Sequence, residues 1–385
     1  MGSGARVLVV DDDEAMRSAV TRVLAPFYEV VQAGGAGEAE SAIGAVPRLD
    51  LALVDVQLVD GDGYSVCRTI RRRSPDTEVI LMTGSVSQPD EKLFRSLEEE
   101  AFYFLFKPFE RRVLLALVER CLRLQAERRA KEAHARRLAE DLDRARQFQQ
   151  SLIPDGPVDG YGWSVDGRFA PCDELGGDFY QALEERDDTL VVALADVVGH
   201  GVRAAMYAGM LRSTLDASRR RDPDPERFGQ ELLHGIDFFE DHRFATLFYA
   251  RLLGDGRVRY LSAGHWPALW LRGDGTIEEL PATGLVLSRN FVGRPAVARE
   301  IRLAPGDRLL VYTDGAFEVR DASDRELGLD WLRARFGELA SESMTSCLDR
   351  LLDEIRGYSG DRPIDDDVTL VLAERGSGTE RKSPR

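Results

Sequence analysis

The chain has 385 residues, 43% of them hydrophobic, and a formal net charge of −16. That length suits two domains and a connector, and the hydrophobic share excludes a disordered chain. The acidic balance argues against nucleic-acid binding, which draws on basic residues to displace counterions from phosphates.

Short apolar runs open the chain: Arg6–Val10, Tyr28–Gln32, Leu51–Val54, Val79–Met82 and Phe102–Phe106. Amphipathic stretches at Glu14–Leu24, Ala36–Ala45 and Tyr64–Arg73 lie between them. Five strands interleaved with helices imply βαβ units, a doubly wound parallel sheet of the flavodoxin-like kind. From Arg111 to Leu152 the pattern becomes one long helix without Gly or Pro. Apolar residues recur there at Leu117, Cys121, Leu124, Ala135, Leu138, Leu142, Ala145 and Leu152, the spacing of a coiled-coil seam, which predicts a parallel homodimer. Pro154–Gly162 ends that helix, and strand-like stretches follow: Ser164–Phe169, Thr189–Ala195, Thr246–Leu252, Val258–Ser262, Ala268–Leu271, Arg308–Tyr312 and Val368–Leu372. Helical blocks at Ala204–Arg219, Pro225–Phe239 and Trp331–Arg356 make this half an α+β sandwich. The expected domains are 1–122, a helical linker 123–152, 153–376, and a disordered tail 377–385. Cys67, Cys121, Cys172 and Cys347 form no CxxC pair, which predicts reduced thiols in a cytoplasmic protein. No apolar run approaches the roughly 20 residues that span a bilayer, so no membrane partner is expected.

The first half places carboxylates where an open parallel sheet binds its ligands, at the carboxyl ends of strands. Asp11 and Asp12 follow the first strand and Asp55 the third, while Thr83 and Lys107 end the fourth and fifth. Three carboxylates make a hard oxygen site suited to Mg²⁺, where Asp55 can attack a phosphoryl group with Lys107 and Thr83 on its oxygens. The order VLVVDDD, LALVDVQLVDGDGY, LMTGS and FLFKPF resembles the receiver domain of two-component response regulators over residues 5–122. The resemblance implies that Asp55 is the phosphoacceptor, phosphorylated by a sensor histidine kinase. It also makes Thr83, Lys107 and Phe104 switch residues, and gives the Gln57 carbonyl to the metal shell. Val59 stands where the family usually has proline.

The second half carries GGDFY (Gly176–Tyr180), ADVVGHG (Ala195–Gly201), SAGHWP (Ser262–Pro267), YTDGAFE (Tyr312–Glu318) and DDDVTL (Asp365–Leu370). Asp178, Asp196, Asp314 and Asp366 sit at strand ends or glycine turns, a set of hard donors for Mg²⁺ or Mn²⁺ rather than zinc. Two such ions can activate a water for in-line attack on phosphorus. The five ordered motifs, with ARQFQQSLIP before them, resemble the protein phosphatase 2C-like (PPM) family in its bacterial stress-response and sporulation branch. The likeness runs from about Ala145 to Leu372 and implies an α+β PPM-type phosphatase domain acting on phosphoserine and phosphothreonine. By that likeness Asp196 bridges two metals beside the Val197 carbonyl, Asp314 and Asp366 hold the first, and Asp178 lies next to the pair. His200 fits the family's histidine near the metals, either protonating the leaving oxygen or serving as a turn histidine with a structural bond, whereas His265 is structural. Asp365 and Asp367 flank Asp366, so the ligand can shift by one position. The implied substrate is a phosphorylated STAS-domain anti-sigma-factor antagonist in sigma-factor partner switching. The rival expectation is a catalytically silent adaptor on the same fold.

Overall fold

A computed structural model of the chain describes residues 4–46, 48–84, 103–185, 188–221, 224–236, 239–240, 243–291 and 293–376. The tail 377–385 and the first residue of the expected fifth strand lie outside them. Backbone contacts divide the chain into two units, 1–138 and 139–385.

In the first unit five strands form one parallel sheet. They are β1 (Arg6–Val10), β2 (Glu29–Ala33), β3 (Leu51–Asp55), β4 (Glu78–Thr83) and β5 (Tyr103–Phe106), in the order β2-β1-β3-β4-β5. Every residue of β3 is buried, as a strand covered on both faces requires. Helices α1 (Glu14–Leu24), α2 (Ala36–Ala45) and α3 (Gly63–Arg73) connect the strands. The Asp13 carboxylate caps α1 by accepting from the Ala15 and Met16 N–H groups, and Asp62 caps α3 through Tyr64.

The long helix α4 runs from Arg111 to Ser151. Its first turns dock on the sheet through Leu114, Val118 and Cys121, and buried Gln125 donates to the Asp50 carbonyl at 2.8 Å. Cys121 is therefore a core residue of the receiver half rather than a free seam position, and Leu117 packs against the same core. Leu124 and Leu138 remain exposed.

The second unit stacks two antiparallel sheets. One orders β8 (Phe179–Glu185), β9 (Thr189–Val197), β10 (Ala245–Leu253), β11 (Arg257–Ala263) and β14 (Arg299–Arg302). The other orders β13 (Ile277–Leu280), β12 (Ala268–Leu271), β15 (Arg308–Tyr312), β16 (Val368–Arg375), β7 (Trp163–Ala170) and β6 (Val158–Gly160). Between the sheets lies a core that includes Val192, Leu194, Phe248, Leu309 and Val371. Helices α5 (Gly201–Arg221) and α6 (Pro225–His234) cover the first sheet, and α7 (Leu329–Glu338) and α8 (Met344–Ser359) the second. The block expected as one helix over Trp331–Arg356 is two, because Ser343 caps a new helix by accepting from Ser346 N–H. Among the described residues no helix is long and apolar enough to cross a membrane.

Candidate active site

In the first unit the parallel sheet sets β1 beside β3 and β4 between β3 and β5, so the carboxyl ends of all four share one edge. Carboxylate oxygens of Asp11, Asp12 and Asp55 fall within 4.8 Å of one another. Lys107 closes the group: its Nζ lies 2.7 Å from Asp11 Oδ2 and 2.6 Å from Asp55 Oδ2. Burial pulls the lysine pKa down, yet these two ion pairs outweigh it and leave the ammonium raised. Asp11, fully buried, is raised by desolvation against the pull of Lys107. Asp12 is exposed. Gln57 lies two residues after Asp55, and its N–H donates to Asp55 Oδ1 at 3.2 Å. Gly63 is required here, since a Cβ at that position would stand 2.0 Å from the Asp55 carbonyl oxygen. Thr83 ends β4, and its carbonyl accepts from the Lys107 N–H at 2.7 Å. Phe104 is half-buried against the core that holds Tyr64. The Lys107–Pro108 bond is cis.

In the second unit the catalytic candidates lie at one end of the two sheets. Asp196 is near the end of β9, Asp314 follows β15, Asp366 precedes β16 and Asp178 precedes β8. Burial raises the Asp196 carboxyl to about 7, with Asp314, Asp366 and Asp367 adding repulsion. Burial and the same kind of repulsion raise Asp366 to about 6. Asp178 is raised by desolvation and by Asp196; it accepts from Thr369 Oγ1 at 2.6 Å and shares a hydrogen bond with Asp196. Among the described residues no three of these carboxylates converge as closely as Asp11, Asp12 and Asp55 do. Like charges with no lysine between them keep apart. Oxygen donors under mutual repulsion fit hard divalent cations, which remove the repulsion without a proton.

Hydrogen bonds distinguish Asp366 from its neighbours. The buried Asp367 carboxylate is committed to backbone: it accepts from Cys172 N–H at 2.9 Å, Gly177 N–H at 2.5 Å and Asp178 N–H at 3.3 Å. It therefore shapes the GGD turn, while Asp366 faces Asp314 and Asp196. Asp365 is exposed and pairs with Arg362. Gly177 must lack a side chain, because a Cβ there would meet the Val197 carbonyl at 2.7 Å and the Gly199 carbonyl at 2.9 Å. His200 is exposed, with Nδ1 3.5 Å from Asp173 Oδ2. His265 is buried and held neutral, its pKa lowered to about 3 by desolvation; its Nδ1 bonds Thr246 Oγ1 at 2.7 Å. Thr246 pairs with Asp196 across β9 and β10.

The sequence names Asp367 only as an alternative ligand, not as the group that shapes the GGD turn. One contributor escaped the sequence reading: Gln149, whose amide donates to the Gly176 carbonyl at 2.7 Å and accepts from the Gly176 N–H at 3.2 Å, tying the end of α4 to the turn that carries Asp178. Its place in ARQFQQSLIP was the only available signal.

Comparison with known proteins agrees with this two-domain fold. Residues 7–119 match the response regulator receiver domain, and residues 186–376 match stage II sporulation protein E (SpoIIE). Phosphoserine phosphatase RsbU of Bacillus subtilis is 24% identical over 80% of this chain and 89% of its own length. Protein IcfG of Synechocystis is 26% identical over 61% of this chain, which spans only 41% of IcfG. The SiaA-PP2C domain of Pseudomonas aeruginosa shares the fold, with 20% identity and a TM-score of 0.55 over 63% of this chain and 98% of that domain. The chain joins a response regulator receiver domain to a SpoIIE-type, PP2C-like phosphatase domain.

Proposed function

We propose that the chain is a cytoplasmic, metal-dependent phosphoserine and phosphothreonine protein phosphatase controlled by phosphorylation of Asp55. The reading rests on the mutually repelling carboxylates around Asp196, which lose that repulsion only by taking up protons or cations. Two Mn²⁺ or Mg²⁺ ions bound there would polarise the phosphoryl oxygens and acidify a water for attack. Asp196 would bridge them with the Val197 carbonyl beside it, Asp314 and Asp366 would hold one, and Asp178 would complete the set. His200, steadied by Asp173, would give a proton to the leaving serine or threonine oxygen.

In the receiver, Asp11, Asp12, Asp55 and the Gln57 carbonyl would hold Mg²⁺. Asp55 would take its phosphoryl group from a sensor histidine kinase, and Lys107 and Thr83 would then bind that group while Phe104 reorients. Helix α4 is the natural transmitter: its first turns are packed into the receiver core, and its last turn is bonded to Gly176. The exposed Leu124 and Leu138 suit a homodimer along that helix. By likeness to RsbU, the substrate is a phosphorylated STAS-domain anti-sigma-factor antagonist whose dephosphorylation frees a sigma factor.

The test is Mn²⁺-dependent hydrolysis of a phosphomonoester by the full chain beside Asp196→Asn, with and without beryllofluoride on Asp55. Turnover that the mutation removes and beryllofluoride alters is the expected result. The looser spacing of the second carboxylate set favours one rival, a silent adaptor. Absence of turnover under every condition would select it.

A further inference from the structure

Trp266 stands where a core residue is not needed and a binding residue is. It lies in the connection between β11 and β12, and β12 pairs with β15 in the register Leu269↔Leu310. Carried three residues further, that register sets Trp266 across from Thr313, next to Asp314. The indole stands edge-on against the Phe317 ring, with centroids 4.9 Å apart at 81°. The Phe317 N–H in turn donates to the Asp314 carbonyl at 2.9 Å. Trp266 is thus held beside a catalytic candidate, yet 37% of it stays exposed.

Two more apolar side chains stand on loops bonded to the same end of the sandwich. Gly264 N–H donates to the Gly284 carbonyl at 3.0 Å, which places Leu285, 43% exposed, beside the Trp266 loop. The Phe244 carbonyl accepts from Val198 N–H at 3.2 Å, two residues after Asp196, and the Phe244 side chain is 38% exposed. Large apolar groups left in water at one end of a domain mark a contact surface rather than a folding element. The aspartate cluster is anionic, so it attracts metal ions, and phosphate only through them, but neither selects the neutral part of a protein. An aromatic already fixed by packing can, because little side-chain freedom is left to lose on binding.

We propose that Trp266, with Leu285 on the adjoining loop, forms an apolar subsite for the side chain next to the phosphorylated residue of a protein substrate. This subsite rests on the phosphatase reading. It assigns the substrate a phosphoserine or phosphothreonine flanked by a leucine-like or aromatic residue. A neighbour of that kind loses water against the indole when the phosphate reaches the aspartates.

The experiment uses the full chain with Mn²⁺ and three probes. These are a phosphoserine peptide flanked by leucines, the same peptide flanked by serines, and p-nitrophenyl phosphate. The expected result is a kcat/KM about tenfold higher for the leucine peptide, the discrimination one apolar pocket supplies. Trp266→Ser should bring that ratio near one, and Leu285→Ser, which leaves the indole in place, should reduce it in part. Equal rates on both peptides in the unaltered protein would overturn the subsite. A preference that survives both substitutions in proteins that still melt cooperatively would do the same. If Trp266→Ser does not fold, the Leu285→Ser ratio decides alone: a lower ratio supports the subsite, an unchanged one removes it. Failure to hydrolyse any probe, p-nitrophenyl phosphate included, would instead remove the phosphatase reading and the subsite with it.

Discussion

The chain holds two acidic sites built on opposite electrostatic plans. In the receiver, Lys107 lies within hydrogen-bonding distance of both Asp11 and Asp55, so much of the negative charge is balanced internally. In the phosphatase domain the groups acting most strongly on Asp196 after burial are other carboxylates, and Asp196 and Asp178 share a hydrogen bond. A site that accepts a phosphoryl group needs a lysine ready for its oxygens. A site that expels phosphate needs charge left uncompensated until cations arrive. The comparison is sharpest at Asp196: Asp196→Asn should lower metal-dependent phosphoester hydrolysis about a thousandfold, the rate equivalent of roughly 4 kcal/mol. A residual rate within about tenfold of the unaltered protein would break the contrast.

The next effect separates two neighbours. Asp366→Asn should weaken Mn²⁺ activation, read as a metal concentration for half-maximal rate raised about a hundredfold, with the melting temperature little changed. Asp367→Asn should do the reverse, because its carboxylate accepts three backbone N–H groups and an amide nitrogen would face donors. A loss of about 1–3 kcal/mol in urea unfolding is expected there. If Asp367→Asn shifts the metal requirement and Asp366→Asn does not, the ligand assignment moves by one residue.

On the receiver side, Lys107→Ala leaves Asp11 and Asp55 facing each other without their shared cation. Acetyl phosphate labelling of Asp55 should then fall about tenfold or more, since the ammonium no longer meets the incoming phosphoryl oxygens. Phosphatase turnover in the absence of any phosphodonor should stay unaltered.

Much of this was legible in the sequence, for reasons that differ by residue. Helices α1 and α2 and strands β12 and β15 were readable to the residue, because periodicity and flanking turn residues agree there. Strand β14 (REIR) is a polar edge strand, paired only with β11, and strand β13 (IEEL) is likewise an edge; neither carries an alternation that burial would impose. Strand β8 was hidden because Gln181 interrupts its apolar run. Aspartates at strand ends pointed to both candidate sites. The division of labour between Asp366 and Asp367 could not be read, since it depends on which carboxylate points at the backbone of a turn nearly 190 residues away. Gln149 was equally silent: its partner is a backbone amide, and backbone leaves no mark in composition. The seam expected along α4 was read as one interface, yet Cys121 and Leu117 serve the receiver core and Leu138 does not. A heptad stripe states only that a face is apolar, not what covers it.

The smallest effect tests the electrostatic contrast itself, through the pH dependence of stability in a chelator. Burial and neighbouring carboxylates raise Asp196 to about 7, against an unfolded value of about 3.9. The folded state then holds a proton that the unfolded state has released, so stability from this group falls as pH rises between those two values. Above pH 7 the cost is fully present, and below about 4 it is gone. One pH unit inside the window changes stability by at most about 1.4 kcal/mol, or about 3–6 °C for a domain of this size. Chelated protein should therefore melt a few degrees higher at pH 6 than at pH 7, and Asp196→Asn should flatten that slope. Saturating Mn²⁺ should flatten it too, because a bound cation holds the carboxylate ionised in the folded state and competes with the proton. A slope that persists unchanged in Asp196→Asn would place the proton elsewhere and remove the electrostatic difference between the two sites.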